Sequence, residues 1–537
     1  MLQKKRSLGI FQRLIVLMLF SFFMPAYAVD INSYNTLKKE VAAKTGDYLV
    51  RLVGHITNGT TQLTIGRTLT LDLNGYNLTI DLSNEIGKAS NGIHIINGAT
   101  LTIIDSNRNN NSLTVRNRST DRSVAGCGGA INTEHGILII ESGTITAIGG
   151  AYSAGIGGSY QKSSGVVIIN GGTVTATGDM GAGIGSGLSG KNGVIIINGG
   201  IITANSINGM PNSGGAGIGG GSNSSQDGNI TINGGIINAT GYGAGIGNGS
   251  FGSLVNITIN GGDIRSNGIG GAGAGIGGGA GYGGSAGNIT INGGTIEANG
   301  GWSGAGIGGG MNNSGGNIVI AGGKVSAKGG DSQKDANSGG GAGIGGGGAS
   351  ANSQIPASGS ITITGNADVT AIGGNGFSGG NGGGGAGIGT GGSGWLSGTK
   401  SAAGPIAINN TGNKQFSGGV GTLGSNGAKI GFGGWGNKAG DEFTMGDGKG
   451  NTYSQSITTY LVTPMQMECG VITALPNGEI GSVSVPSGAN QSFKFTPNPG
   501  YVFMGFWDGV RLVGTTNFHT FIAVKENKTI TPVFIKK

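Results

Sequence analysis

Few of the residues that carry catalysis, cross-linking or nucleic-acid binding are found in this chain. It has 2 cysteines in 537 residues, Cys127 and Cys469. So few exclude a disulfide scaffold, and stability must rest on packing and hydrogen bonding. Aromatic residues make up 6% and charged residues 10% of the chain. A solenoid core of large rings is therefore excluded, and so is the high net charge of a disordered chain. There are 4 histidines, at 55, 94, 135 and 519. No nucleophile, base and orienter can be assembled from the sequence. Beyond the N-terminus there is no run of the ~18 apolar residues that a membrane helix needs.

Glycine, by contrast, supplies 124 residues. Collagen needs a strict three-residue glycine period, and that period is absent. What recurs is the phrase Ala-Gly-Ile-Gly, beginning at Ala154, Ala182, Ala216, Ala244, Ala274, Ala305, Ala342 and Ala386. An altered ninth copy reads Ala125-Gly126-Cys127-Gly128, with Cys127 in the isoleucine position as a small buried hydrophobe. Recurrence at this spacing means one supersecondary unit stacked on itself, each copy burying its neighbour's apolar face.

One unit runs from Gly228 to Gly249. Asn229-Ile230-Thr231-Ile232-Asn233 alternates polar and apolar, the period of a strand. A Gly-Gly corner leads to a second strand at Ile236–Ala239 and a glycine corner to a third, very short one at Ala244–Gly247. Three strands and three corners close a coil. Roughly a dozen coils spaced ~4.8 Å apart make a stack on the order of 60 Å long. The inward ladders are expected to be Ile156 to Ile388 on the third strand, Ile169 to Ile363 on the first and Val174 to Val325 on the second. Asn170, Asn198, Asn233, Asn260 and Asn292 precede the Gly-Gly corners and are read as a structural amide ladder.

The N-terminus has the layout of a secretory signal over residues 1–28: Lys4, Lys5 and Arg6, an apolar stretch Leu14–Phe23, then Ala26-Tyr27-Ala28. Cleavage there removes four cations and no acid, lowering the balance from 31 − 24 = +7 to 27 − 24 = +3. The residual charge demands no nucleic-acid partner. Residues 33–46 are expected to form a capping helix, with Tyr34, Leu37 and Val41 on one face and Gly46 as C-cap. Near Pro464 glycine thins and aromatics rise. Residues 464–537 are expected to form a small β domain with Phe493, Phe495, Tyr501 and Trp507 as core.

The capping helix, followed by LTLDLNGYNLTI, AGCGGAI and GILIIESGTITA, resembles the right-handed parallel β-helix of pectin-lyase-like bacterial surface proteins. The AGIGGG and NITINGG units resemble Gly-rich repeats of secreted bacterial surface proteins. The resemblance spans about residues 30 to 460, leaving the repeat domain at 29–463. The segment from SFKFTPNPGY through FWDGV to TITPVF is similar to a divergent internalin-type B-repeat. These resemblances imply an all-β solenoid with adhesion or spacing as its role.

The β-helix class includes polysaccharide lyases and hydrolases, which need clustered carboxylates or a base beside calcium. The repeat acids fall at different points of the unit. Asp263 and Glu297 come nearest to a pair, and they are read as solvated acids at staggered positions. The glycine corners lack the aspartates of calcium-stapled repeats, and no glycine string precedes Lys-Ser/Thr and a helix. No metal or cofactor is expected. Two surface features remain. A column of β-branched residues, Ile139, Ile168, Ile196, Thr231, Thr258, Thr290, Val319 and Thr362, should point outward from the first strand. Tyr152, Tyr242 and Trp302 precede the repeat phrase, and Tyr160, Phe251, Tyr282 and Trp395 follow it. Aromatics along one edge can stack on sugars or can cover glycine corners. The expectation is an exported, non-enzymatic adhesin binding a polysaccharide or cell-surface glycan. The alternatives are an ice- or crystal-surface binder and, third, a polysaccharide-degrading enzyme.

Overall fold

The computed structural model describes residues 28–43, 49–83, 90–107, 111–117, 128–209, 213–225, 228–253, 255–281, 286–333, 338–350, 353, 355–377, 382–394, 404–421, 425–434, 459–464, 469–475, 480, 482–486, 490–507, 512–513, 517–521, 524 and 528–536. The expected signal sequence up to Tyr27, together with Cys127, Tyr282 and Trp395, lies outside them. The chain divides into two compact units, one comprising Asp30–Gly46 and Val50–Thr452, the other built around Tyr453–Lys537.

The first unit is a right-handed parallel β-helix. Its strands form one 13-stranded and two 12-stranded sheets, each taking one strand per coil in chain order. Sheet 1 holds strands such as Gly228–Ile232, sheet 2 strands such as Ile236–Gly241, and sheet 3 pairs such as Ile246–Gly247. The expected ladders are in register. Ile156, Ile184, Ile218, Ile246, Ile276, Ile307, Ile344 and Ile388 pair in succession, and every one is fully buried. The same ladder continues forward to Ile430 and back through Ile131 and Ile93 to Leu63.

That register corrects the altered ninth copy of the repeat phrase. Ile131, not Cys127, pairs with Ile156, so the phrase in that coil is Gly129-Ala130-Ile131-Asn132. A β-branched aliphatic side chain fills the column better than a thiol, and Ala130 fits the preceding buried position.

Sheet 3 is only two residues wide in most coils because the chain pinches there. The Ala244 N–H donates to the Asn248 carbonyl at 2.9 Å, and the same bond closes every copy of the phrase from Ala154 to Ala386. The last glycine of the phrase needs its residue type. Gly247 has φ +137°, and a Cβ there would fall 2.0 Å from the Gly277 oxygen of the next coil.

The flanking segments are more than corners. In the coil of Ala342, three consecutive amides donate to three different segments. Gly339 N–H reaches the Ala349 carbonyl, Gly340 N–H the Gly383 carbonyl and Gly341 N–H the Gly330 carbonyl, each at 3.0 Å. The next coil repeats the pattern, with Gly383 to Ser393, Gly384 to Ser425 and Gly385 to Gly374 at 2.8, 2.9 and 2.9 Å. A strand donates to two sides only. Donation in three directions is the signature of an extended chain with three residues per turn. Glycine is required there by space, since a Cβ on Gly341 would lie 2.0 Å from the Gly304 oxygen. This layer explains the wide spacing of the last repeats.

One end of the stack is covered by helix α1, Tyr34–Ala42. It is shorter than expected over 33–46. Ser33 is its N-cap, and the chain leaves it at Ala43, extended at φ −63° and ψ 143°, so Gly46 is not the C-cap. Leu37 and Val41 are fully buried and Tyr34 nearly so. The Arg67 guanidinium, only 7% exposed, meets Glu40 at 2.7 Å and ties the helix to the first coil. Burial pushes the Tyr34 phenol up to about 12, partly offset by a side-chain hydrogen bond with Thr61.

The second unit has a five-stranded sheet, in the order Val483–Pro486, Thr459–Pro464, Lys528–Lys536, Tyr501–Trp507, Leu512–Val513. A three-stranded antiparallel sheet joins Gly470–Leu475, Gln491–Pro497 and Phe518–Phe521. Phe493 and Phe495 are core residues as expected, and Phe495 stacks on Phe503 and Phe506 at 4.5 and 5.1 Å. Phe503 and Phe506 join that core, while Tyr501 is only half-buried. The Trp507 side chain lies outside the described residues.

Candidate functional site

The pinched phrase brings the segments before and after sheet 3 to one flank. The Tyr152 and Tyr160 rings, from opposite sides of one copy, therefore meet at 5.3 Å with their planes 41° apart. Two other aromatics cover glycine. Methyl groups on Gly209 and Gly214 would each fall 2.3 Å from Tyr242 atoms, and one on Gly281 would fall 2.4 Å from the Phe251 ring. Phe251 is nonetheless 45% exposed.

Trp302 is arranged differently. It stands 37% exposed on the wall of an open cleft of about 670 Å³. The floor is glycine backbone, at Gly268, Gly270, Gly300, Gly301 and Gly330. Ile269 forms another wall, and Asp331, Ser332 and Gln333 supply the polar side. Tyr242 leans on Gly270, its Cε1 being 3.0 Å from where a Cβ would sit. Of the aromatics singled out from the sequence, Trp302 lines the cleft, and Tyr242 packs against one of its lining glycines. The glycine floor is a by-product of coil stacking, because chains this close leave no room for side chains. The backbone holds the polar wall in place: the Asp331 carboxylate accepts from the Asn375 N–H at 2.8 Å, and the Ser303 N–H donates to the Asp331 carbonyl at 3.1 Å. The Ser332 hydroxyl is buried with no partner.

The cleft holds one carboxylate, Asp331, among its lining residues. Glycoside cleavage by paired carboxylates needs a second within about 5–9.5 Å, and the lining does not supply it. Asp263 and Glu297 do not pair either. Asp263 stands beside Thr295, and Glu297 beside Arg265. The Arg265 Nε and Nη2 donate to one Glu297 oxygen at 3.1 and 2.9 Å. Hydrogen bonds from Asn299 and Arg265 hold Glu297 below the usual carboxylate range, which suits an ion-pair partner and not a proton donor.

The β-branched column of sheet 1 is in perfect register from Ile139 to Thr362. Its exposure is uneven, since Thr290 is only 3% exposed. The asparagine ladder is built as expected, with Asn198, Asn233, Asn260 and Asn292 each donating to the preceding residue at 2.6, 2.6, 2.8 and 2.8 Å. A second ladder, absent from the sequence reading, links Asn229, Asn256, Asn288 and Asn317. The NITIN pattern carries both, because residues 229 and 233 lie on the same face of one strand.

A cluster of ionisable groups also went unnoticed in the sequence. His94, Glu134 with His135, and Lys162 come from three successive coils. Lys162 Nζ lies 3.5 Å from a Glu134 oxygen whose side chain is 16% exposed. Burial pushes the His94 imidazole below its ordinary value. Glu134 opposes that shift, and His135 and Lys162 reinforce it. Beneath them Asn132 donates to Asn91 and Ser159 at 3.0 and 2.5 Å and accepts from the Glu134 N–H at 2.7 Å. The spacings of 40 and 28 residues hide this proximity from sequence.

No curated protein and no solved structure matches the chain. Five segments match the family model described as Beta helix repeat: residues 138–160, 167–188, 195–222, 230–250 and 289–311. Their first residues, Leu138, Val167, Ile195, Ile230 and Ile289, all lie on one inward ladder of sheet 1. The chain therefore carries repeated beta-helix repeat segments, stacked as a right-handed parallel β-helix.

Proposed function

We propose that this protein is an exported, non-catalytic adhesin whose β-helix presents a carbohydrate-binding cleft at Trp302. The cleft itself carries the reading: an exposed indole on a glycine floor, with the Asp331 carboxylate and the Gln333 carboxamide exposed among its lining residues. A pyranose has an apolar C–H face that stacks on such a ring and a rim of hydroxyls that asks for planar acceptors and donors. The volume falls within the range of about 300–1,000 Å³ usual for small-molecule sites. The signal-like N-terminus supports export, and the resemblance of the C-terminal module to surface-protein repeats supports a role at the cell surface, with that module as spacer or attachment element. Among the described residues no helix is long and apolar enough to cross a membrane.

The test is a glycan array probed with the protein lacking residues 1–28, followed by titration of the best ligand with Trp302→Ala. Loss of one stacking contact of about 1–1.5 kcal/mol should weaken binding roughly five- to tenfold with the melting profile unchanged. An array without ligands, or unchanged affinity in the folded variant, would overturn the reading.

A further inference from the structure

In a chain with only 10% charged residues, the corner between sheets 3 and 1 is unusual. It gathers two of the chain's 4 histidines with Glu134 and Lys162. Ionisable groups from successive coils gathered at one place on a scaffold mark a functional-site candidate. Exposure decides the sign of the charge this corner presents. Glu134 is recessed at 16% exposed, whereas the Lys162 side chain is 54% exposed. His135 is exposed, held at φ +65° at the tip of its turn. Lys191, also exposed, sits on the adjacent coil. Its carbonyl accepts from the Ser164 N–H at 3.1 Å, and a Cβ on neighbouring Gly190 would fall 2.1 Å from the Lys162 oxygen. The turn that ends in Lys162 also carries Tyr160, whose ring meets Tyr152. Two exposed lysines and a half-buried aromatic pair therefore lie at this corner, with the acid recessed.

We infer that this corner is a second binding site, taking the carboxylate of a uronate-containing polysaccharide on Lys162 and Lys191 with the sugar ring against Tyr160. Coils spaced ~4.8 Å apart place cations along the stack at intervals close to one sugar residue, so an extended acidic chain can meet both lysines. The recessed Glu134 holds the Lys162 ammonium in place and can accept a sugar hydroxyl. Nothing here depends on the Trp302 cleft, whose single charged lining residue is an acid and suits neutral sugars.

The experiment measures binding of the protein lacking residues 1–28 to alginate, with dextran as the neutral comparison. Alginate should bind more tightly than dextran, and its affinity should fall with added salt. Lys162→Ala with Lys191→Ala should weaken alginate binding tenfold or more. Lys324→Ala with Lys328→Ala, which removes two exposed cations elsewhere, should change it less than twofold. Trp302→Ala should leave it unchanged. Equal affinity for alginate and dextran, or equal losses in the two lysine pairs, would overturn the inference. Tyr160→Leu separates a sugar site from a bare charge patch: retained full affinity would refute the stacking.

Discussion

The glycine layer makes a quantitative demand that three alanine substitutions test. Gly341 has no left-handed φ, but its added methyl would lie 2.0 Å from the Gly304 oxygen and 2.4 Å from the Gly304 carbonyl carbon. Contacts between a Cβ and an oxygen are normally above ~3 Å, so the coils must part by about 1 Å there. Across that gap run the bonds from Gly306 N–H to the Ala342 carbonyl and from Ile307 N–H to the Gly343 carbonyl, both at 3.0 Å. Overpacking at ~1–3 kcal/mol plus partial loss of those bonds at ~1 kcal/mol each gives about 3–5 kcal/mol. Gly98 is the opposite case, with φ +74° and nothing within 4 Å of a Cβ. Its alanine should cost only about 1 kcal/mol, a left-handed penalty of ~1–2 kcal/mol offset by a stiffer unfolded chain. Gly54 is constrained neither way, its nearest neighbour being 4.0 Å from a Cβ, so Gly54→Ala should stabilise by about 0.5 kcal/mol. A stack of repeats can open locally, so denaturant melts should be paired with hydrogen exchange over residues 339–349 and 383–393. If Gly341→Ala proves no more harmful than Gly98→Ala, and exchange in those peptides is unchanged, the space argument is wrong.

The ladders predict a sharp asymmetry: Ile246→Asp, at a fully buried position, should cost several kcal/mol, whereas outward-facing Thr258→Asp should shift the melting curve little. Comparable melting of the two variants would contradict the register. The Tyr34 phenol, raised from 10.0 to about 12, stabilises the cap fully below pH 10 and loses that contribution as pH rises through 12. At ~1.4 kcal/mol per pK unit the effect is at most about 3 kcal/mol, and Tyr34→Phe should abolish the alkaline loss seen by circular dichroism. Asn233 donates to Asn198 at 2.6 Å and accepts from Asn260 at 2.8 Å, so Asn233→Ala removes two links of a half-exposed ladder. A loss of about 1 kcal/mol in denaturant melts is expected, and none at all would mean that water replaces the ladder without cost.

Much of the architecture could be read directly, because a repeat repeats its physics. Alternation in NITIN places Ile230 and Ile232 inward, and equal spacing puts their equivalents in the same column. The exceptions are where local signals competed. The string around Cys127 looks like a copy of the phrase, yet Ile131 takes the ladder position because burial of a β-branched side chain outweighs similarity of wording. The helix ends at Ala42 because Ala43 turns extended and the Val41 carbonyl accepts from the Gly66 N–H of the first coil, a contact no helix signal records. The Ile430 copy was missed because Lys429 replaces a glycine of the phrase.

The candidate sites divide along the same line. Trp302 and Tyr160 could be named from the chain alone, as aromatics beside a glycine corner. Their surroundings could not. Asp331 and Gln333 reach the cleft from the next coil, and His94, Glu134, Lys162 and Lys191 come together only when successive coils stack. Periodicity specifies which face of a strand a residue occupies. The loops between strands differ in length from coil to coil, so which loop residues become neighbours is decided by how the glycine segments pack and hydrogen-bond across coils.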